Sequence, residues 1–443
     1  MDTHSIAPQP ALSEIHTGAD HSTGPTAAPL TSPIGPDAAA STADAFTPPS
    51  DVFTVADAGS LFAPSTAAFD AAAAQVEAAA VAGRPNPEAI IAEFTGGLFG
   101  NRLDEDRLGA HLAQEYVLKG DADTALAVID AVRDGSQDDV TRALVGDLSD
   151  AQLTQIARTD DGLDAIKGLR RPLLDGHTGR GDRAALARLD DAFYRNEGHF
   201  ETIVDRAQLA ASVYENSGAP DGWTRLSDTP DGLPAELRNL PWDQEFLGGS
   251  GIHAELYQSD TGEVVLAFEG SLEISDWINN LSQGLGLFPT QYRQAIELAQ
   301  KAHDVYGDDL AITGHSLGGG LAAAAGTVVG VETTTFNAAG VHPNTLEPFG
   351  LERGDALGTV EAFHVDGDVL NELQDNALQK GLVGATGFLV PFIPNDAAVT
   401  EAVGDRFELP GVNRGLIGSN PIIRHLMPAV LDGIEAQRPG SAG

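Results

Sequence analysis

A chain of 443 residues with 42% hydrophobic content is long enough for two or three domains, each with a core of its own. Acidic side chains outnumber basic ones 65 to 25, a formal net charge of −40, so nucleic acid and anionic membrane surfaces would repel it. The absence of cysteine excludes a disulfide framework, a thiolate metal site and a cysteine nucleophile.

The chain opens MDTHSIAPQP, with neither a basic segment nor an apolar one behind it, so no ordinary secretory signal is expected. No run approaches 18 apolar residues, so no transmembrane helix is expected either. These two expectations leave the cytoplasm or an export route independent of a signal peptide. Residues 1–50 are rich in Pro, Ala, Ser and Thr and poor in large apolar side chains. They cannot bury enough surface to offset the entropy of ordering, and a disordered tail is expected. A second short tail is expected over 437–443.

Residues 51–200 change character. Ala, Leu, Asp and Arg dominate, β-branched runs are scarce, and apolar residues recur at helical spacing over 72–81, 108–118, 122–132 and 186–193. Asp121 and Ser149 stand where N-caps belong, and Gly120 and Gly135 fall at breaks. The pattern predicts a helical domain of several short helices. Its acidic pairs, such as Asp121 with Asp123 and Asp160 with Asp161, match no calcium-binding loop and read as solvated helix ends.

From residue 201 to 436 strands and helices alternate. An amphipathic helix is expected over 207–214 and an alternating edge strand over 253–257. The apolar run VVLAF at 264–268 reads as a strand buried on both faces. A helical stripe runs through Tyr292, Ile296, Ala299 and Val305, further strands are expected over 333–337 and 360–365, and a closing helix over 427–435. Such alternation predicts a mainly parallel sheet with helices on both faces and ligands at the carboxyl ends of its strands.

The chemistry concentrates in DLAITGHSLGGGLAAAAG at 309–326. It reads as a short buried strand, the pattern Gly-His-Ser-Leu-Gly, and a helix of small residues. That is the strand–turn–helix context in which G-x-S-x-G lifts a nucleophilic serine above a sheet, so Ser316 is the candidate nucleophile. Gly314 and Gly318 flank a turn too tight for side chains. The fold class expected for 201–436 is therefore an α/β-hydrolase domain, preceded by the helical domain and the tail.

A serine of this kind needs a base to take its proton, an acid to orient the base, and donors for the oxyanion. In this fold the chain order is Ser, acid, His. Only His342, His364 and His425 follow Ser316. His364 lies inside a strand ahead of the acidic candidates and His342 comes too early, so His425 is the candidate base. The acid belongs near the end of the strand 360–365, at Asp366 or Asp368. Strand alternation ties the Asp366 side chain to a sheet face, whereas Gly367 permits a turn that frees Asp368 to reach an imidazole.

Phe268-Glu269-Gly270-Ser271, followed by Asp276-Trp277 and Asn280-Leu281, resembles the fungal-type (class 3) lipase family, as do GHSLGG at the elbow and FHVDGDVL around the acid. The resemblance covers roughly 201–435. It favours Asp368 as the acid, because Asp368-Val369-Leu370 follows the family's pattern of an acid before apolar residues. It implies that Ser271 and the backbone N–H of Leu317 form the oxyanion hole. It also implies a lid over 272–288, with Trp277, Ile278, Leu281 and Phe288 facing substrate. This chain has Glu269 where that family usually has Arg. A second apolar stretch, GLVGATGFLVPFIP at 381–394, either lines an acyl pocket, touches a lipid surface or packs as a core loop.

The expected function is hydrolysis of lipid acyl esters at a lipid–water interface through an acyl-enzyme, with no metal or cofactor required. Two alternatives stand beside it. One is an exported lipase effector whose first 200 residues serve delivery. The other is a non-catalytic binding protein built on a hydrolase fold.

Overall fold

The computed structural model describes residues 102–132, 136–174, 179–214, 218–243, 252–270, 289–371, 402–411 and 420–440. The expected tail over 1–50 and the helix expected over 72–81 lie outside these residues, as do the lid candidates and the stretch 381–394.

Among the described residues seven helices come first: α1 (Arg102–Lys119), α2 (Ala122–Asp130), α3 (Gln137–Asp147), α4 (Asp150–Ile156), α5 (Asp160–Leu174), α6 (Arg180–Tyr194) and α7 (Glu197–Ser212). The two predicted caps start helices. The Asp121 carboxylate accepts the Thr124 N–H, and Ser149 forms a reciprocal box with Gln152. Gly120, at φ +80°, turns the chain between α1 and α2.

Seven strands follow in one sheet, paired in chain order: β1 (Trp223–Arg225), β2 (Ala254–Ser259), β3 (Val264–Phe268), β4 (Leu310–His315), β5 (Thr333–Phe336), β6 (Val360–Val365) and β7 (Asp405–Leu409). β1, β2 and β3 pair antiparallel; from β3 to β7 every pairing is parallel. The fold is thus a mostly parallel α/β-hydrolase-type sheet preceded by a helical region. Two details differ from the sequence reading. β2 is not the edge, because the three-residue β1 covers it, and β7 was not foreseen.

Helices α8 (Pro289–Tyr306) and α9 (Leu317–Val329) cover one face of the sheet. Val264, Leu266, Phe268, Leu310 and Ile312 pack there against Ala295, Ile296 and Ala299 of α8 and the alanines of α9. On the opposite face Leu209 and Val213 meet Tyr257, Val265, Ala267 and Ala311. Farther along that face, the core of the seven helices merges with Phe336, Phe363, Phe407 and the closing helix α12 (Met427–Ala436).

The seam between helices and sheet is aromatic and ionic. Phe336, Phe363 and Phe407 are register partners across β5, β6 and β7, stacked at 5.8 and 5.1 Å between centroids. Phe193 of α6 extends the stack onto Phe407 at 4.2 Å, and the Arg170 guanidinium lies 3.7 Å over the Phe407 ring. Glu361, buried at the start of β6, meets Lys167 at 3.3 Å and His199 at 3.1 Å. Arg171 grips Asp405 with two bonds, at 2.8 and 3.1 Å. These ion pairs lie at the amino ends of the parallel strands, away from the carboxyl ends where Ser316 stands. Past α12, Arg438 pairs with Glu435 and Glu201 and lies 4.8 Å over the Phe200 ring. The chain expected to be a tail from 437 is therefore tied to α7 at that point.

Candidate active site

Ser316 sits between the end of β4 and the first turn of α9, at φ 59° and ψ −125°. A non-glycine residue avoids this region unless its surroundings impose it. The surroundings are bonds and close backbone. The Ser316 N–H donates to the Phe336 carbonyl at 3.0 Å, and its carbonyl accepts from Ala339 at 2.8 Å and from Gly320 at 3.1 Å. A Cβ on Gly314 would stand 2.3 Å from the Gly318 carbonyl oxygen, and one on Gly318 would stand 2.2 Å from that of Phe268. The glycines thus let the elbow close on itself and against the end of β3.

His425 ends the short helix α11 (Pro421–His425), started by Asn420, whose side chain accepts the Ile422 N–H. The Ser316 Oγ–H faces His425 Nε2 at 2.8 Å, and His425 Nδ1–H faces Asp368 Oδ1 at 2.6 Å. All three residues are at most 1% exposed. A carboxylate only accepts, so it fixes the proton on Nδ1 and leaves the Nε2 lone pair for the serine hydroxyl.

The turn after β6 explains which aspartate arrives. The Asp368 N–H closes it on the Val365 carbonyl at 2.9 Å, with Gly367 at φ 72°. The second carboxylate oxygen of Asp368 accepts the Asn371 N–H at 2.9 Å. Asp366 points outward, its side chain 62% exposed and 3.6 Å from Arg424, away from the imidazole. His342 instead caps the short helix α10 (Pro343–Leu346) by accepting the Asn344 N–H.

Leu317 is the first residue of α9, where a helix leaves backbone N–H groups without internal partners and presents the positive end of its dipole. Its N–H follows the serine directly, the position an oxyanion donor needs. Ser271, Trp277, Ile278, Leu281 and Phe288 lie outside the described residues.

Three side chains that the sequence did not single out complete the surroundings. Asn337, at φ 43° just past β5, accepts the Val365 N–H at 2.8 Å and donates to the carbonyls of Arg424 and His425 at 3.1 and 3.0 Å. It joins the strand leading to the acid to the segment carrying the imidazole. Tyr214, just past α7, reaches both the elbow and the end of β3. His253, just before β2, contacts Glu269 at 2.5 Å and Glu255 at 3.4 Å; bonds to these two carboxylates raise its pKa to about 10. Glu269 thus faces a cation supplied from just ahead of the neighbouring strand.

An α/β-hydrolase-type sheet with a serine, a histidine and a carboxylate in hydrogen-bond sequence at the carboxyl ends of its strands defines the class of site. Comparison with known proteins adds to this. Residues 205–415 match the family model of the Tle-like phospholipase domain. Over 161 residues the chain is 41% identical to an extracellular phospholipase A1 of Serratia liquefaciens, which covers 35% of this chain and 48% of that protein. The chain thus spans about half the length of that relative. Both matches are to proteins of phospholipase type.

Proposed function

We propose that the chain is a serine phospholipase that cleaves a fatty acyl ester by way of Ser316, His425 and Asp368. The observation that carries the proposal is the pair of contacts at 2.8 and 2.6 Å linking the three side chains around an elbow serine. His425 Nε2 takes the hydroxyl proton as Ser316 Oγ attacks the ester carbonyl carbon. The Leu317 N–H, with Ser271, holds the resulting oxyanion. Such a donor typically contributes about 2.7–4 kcal/mol in the transition state. The imidazolium returns the proton to the departing alcohol, leaving an acyl-Ser316 ester. Water, deprotonated by the same histidine, then releases the fatty acid. The class 3 lipase resemblance supports the same chemistry. The Tle-like and phospholipase A1 matches favour phospholipid over triacylglycerol, and the relative's extracellular description favours action outside the cell that makes the protein.

A substrate panel tests this. Vesicles of diacyl phospholipid, emulsified triacylglycerol and a soluble p-nitrophenyl ester are each offered to wild type and Ser316→Ala. The expected result is fatty acid released mainly from phospholipid, at the sn-1 ester, and none by the variant. Phospholipid turnover that survives Ser316→Ala, or hydrolysis confined to the soluble ester, would overturn the proposal.

A further inference from the structure

The mechanism leaves one buried titratable side chain of the elbow without a role. His315 precedes Ser316, is 3% exposed and, unlike Ser316, points toward the face of the sheet that α7 covers. Burial, reinforced by the neighbouring His425, lowers its pKa to about 3, so the ring is neutral near pH 7. Its Nε2 lies 2.6 Å from the His425 carbonyl oxygen. A carbonyl only accepts, so Nε2 carries the proton and Nδ1 offers a lone pair. The Tyr214 hydroxyl stands 2.8 Å from that lone pair and donates to it. The same hydroxyl oxygen accepts the Gly270 N–H at 3.0 Å. The bonds therefore run from the Gly270 N–H to Tyr214, from Tyr214 to His315, whose carbonyl oxygen at 3.1 Å is also within reach of the hydroxyl, and from His315 to the His425 carbonyl.

The two ends of this chain are the two parts that must meet around a substrate. Gly270 immediately precedes Ser271, the proposed oxyanion donor, and is packed so tightly that a Cβ there would stand 2.2 Å from the Tyr214 hydroxyl and 3.2 Å from Ser316 Cβ. The other end is the backbone of the proposed base. We infer that Tyr214 and His315 form a positioning relay that holds Gly270 and His425 at a fixed separation across Ser316. The inference rests on the proposed function, since it assigns the relay to that same site. Neither side chain touches substrate. Their effect passes through Gly270 and through the His425 main chain, which Asn337 holds from its other side. Misplacement of a reacting group by about 1 Å can cost about a hundredfold in rate. A relay that acts on placement should therefore change turnover and leave substrate binding alone.

Tyr214→Phe removes only the hydroxyl, and His315→Phe removes both the donor toward the His425 carbonyl and the acceptor for Tyr214 while keeping a ring in its place. Both are measured in the full chain on one soluble ester, with Ser316→Ala alongside. Each single variant is expected to lose about ten- to a hundredfold in kcat, with KM within about threefold of wild type and an unshifted pH profile. Because the two act through one connection, the double variant should be no slower than about threefold below the worse single variant. Either folded variant decides the matter. A kcat within about twofold of wild type, a loss carried mainly by KM, or losses that multiply in the double variant would overturn the relay while leaving the proposed function intact. Activity retained by Ser316→Ala would overturn the proposed function instead.

Discussion

Asp366 and Asp368 are two residues apart and chemically identical, yet only one meets the imidazole. The difference is the turn closed between Val365 and Asp368, which needs a left-handed residue and has Gly367 there. Asp368 is carried inward to 2.6 Å from His425 Nδ1, and Asp366 is left on the surface beside Arg424. Replacing the orienting acid by its amide favours the wrong imidazole tautomer, which lowered turnover about 10⁴-fold in a serine protease. Asp368→Asn is therefore expected to lose on the order of 10³- to 10⁴-fold in kcat on a soluble ester. Asp366→Asn should stay within about tenfold of wild type. Reversed outcomes in two folded variants would reassign the acid. This much of the site was legible in the sequence because its signals are local: a glycine at a turn, two glycines around a serine, and a chain order that left one histidine. The relay was not legible, because Tyr214 and His315 are 101 residues apart and nothing near either names the other. Asn337 carries no local signal for the same reason. Its partners, Val365, Arg424 and His425, come from segments that only the fold brings together.

At the scale of elements, the helical region preceding the sheet was expected as a domain apart. Alanine- and leucine-rich periodicity revealed the helices but not what their apolar faces cover. The side chains answer that: Phe193 is fully buried and stacks on Phe407, while Lys167, His199 and Arg171 reach acidic partners on β6 and β7. The helices α5, α6 and α7 thus supply part of the covering layer for the sheet. β7 escaped notice because Arg406 and Glu408 interrupt its apolar residues, and its pattern of alternate burial appears only when Phe407 and Leu409 meet the helices. Truncating a core aromatic to alanine typically costs about 3–5 kcal/mol. Phe193→Ala should lower the unfolding free energy by about that amount in urea titration, with one transition seen by both near- and far-ultraviolet dichroism. A loss below about 1 kcal/mol, or two separated transitions, would mean that the helices and the sheet fold independently.

The whole molecule carries −40 formal charges, with four lysines among its 25 cations. Among the described residues the cations are spent largely on buried or bridging roles, as with Lys167, Arg170, Arg171 and Arg206. The surplus acid therefore faces solvent and repels itself, a force whose reach shrinks from about 10 Å at 0.1 M salt to about 3 Å at 1 M. The melting temperature should climb between those concentrations of NaCl; a flat or falling curve would show that the acidic groups are too dispersed to matter. That charge bears on function as well, since an anionic protein gains nothing from an anionic lipid surface. The elbow, the relay and the covering helices all serve one claim, that Ser316 is a nucleophile. The measurement that tests it most directly is covalent labelling with a fluorophosphonate, followed by tandem mass spectrometry of the digested protein. A single adduct on Ser316, absent from Ser316→Ala and slowed in Asp368→Asn, is the predicted result. An adduct on another residue, or none in wild type that hydrolyses ester, would contradict it.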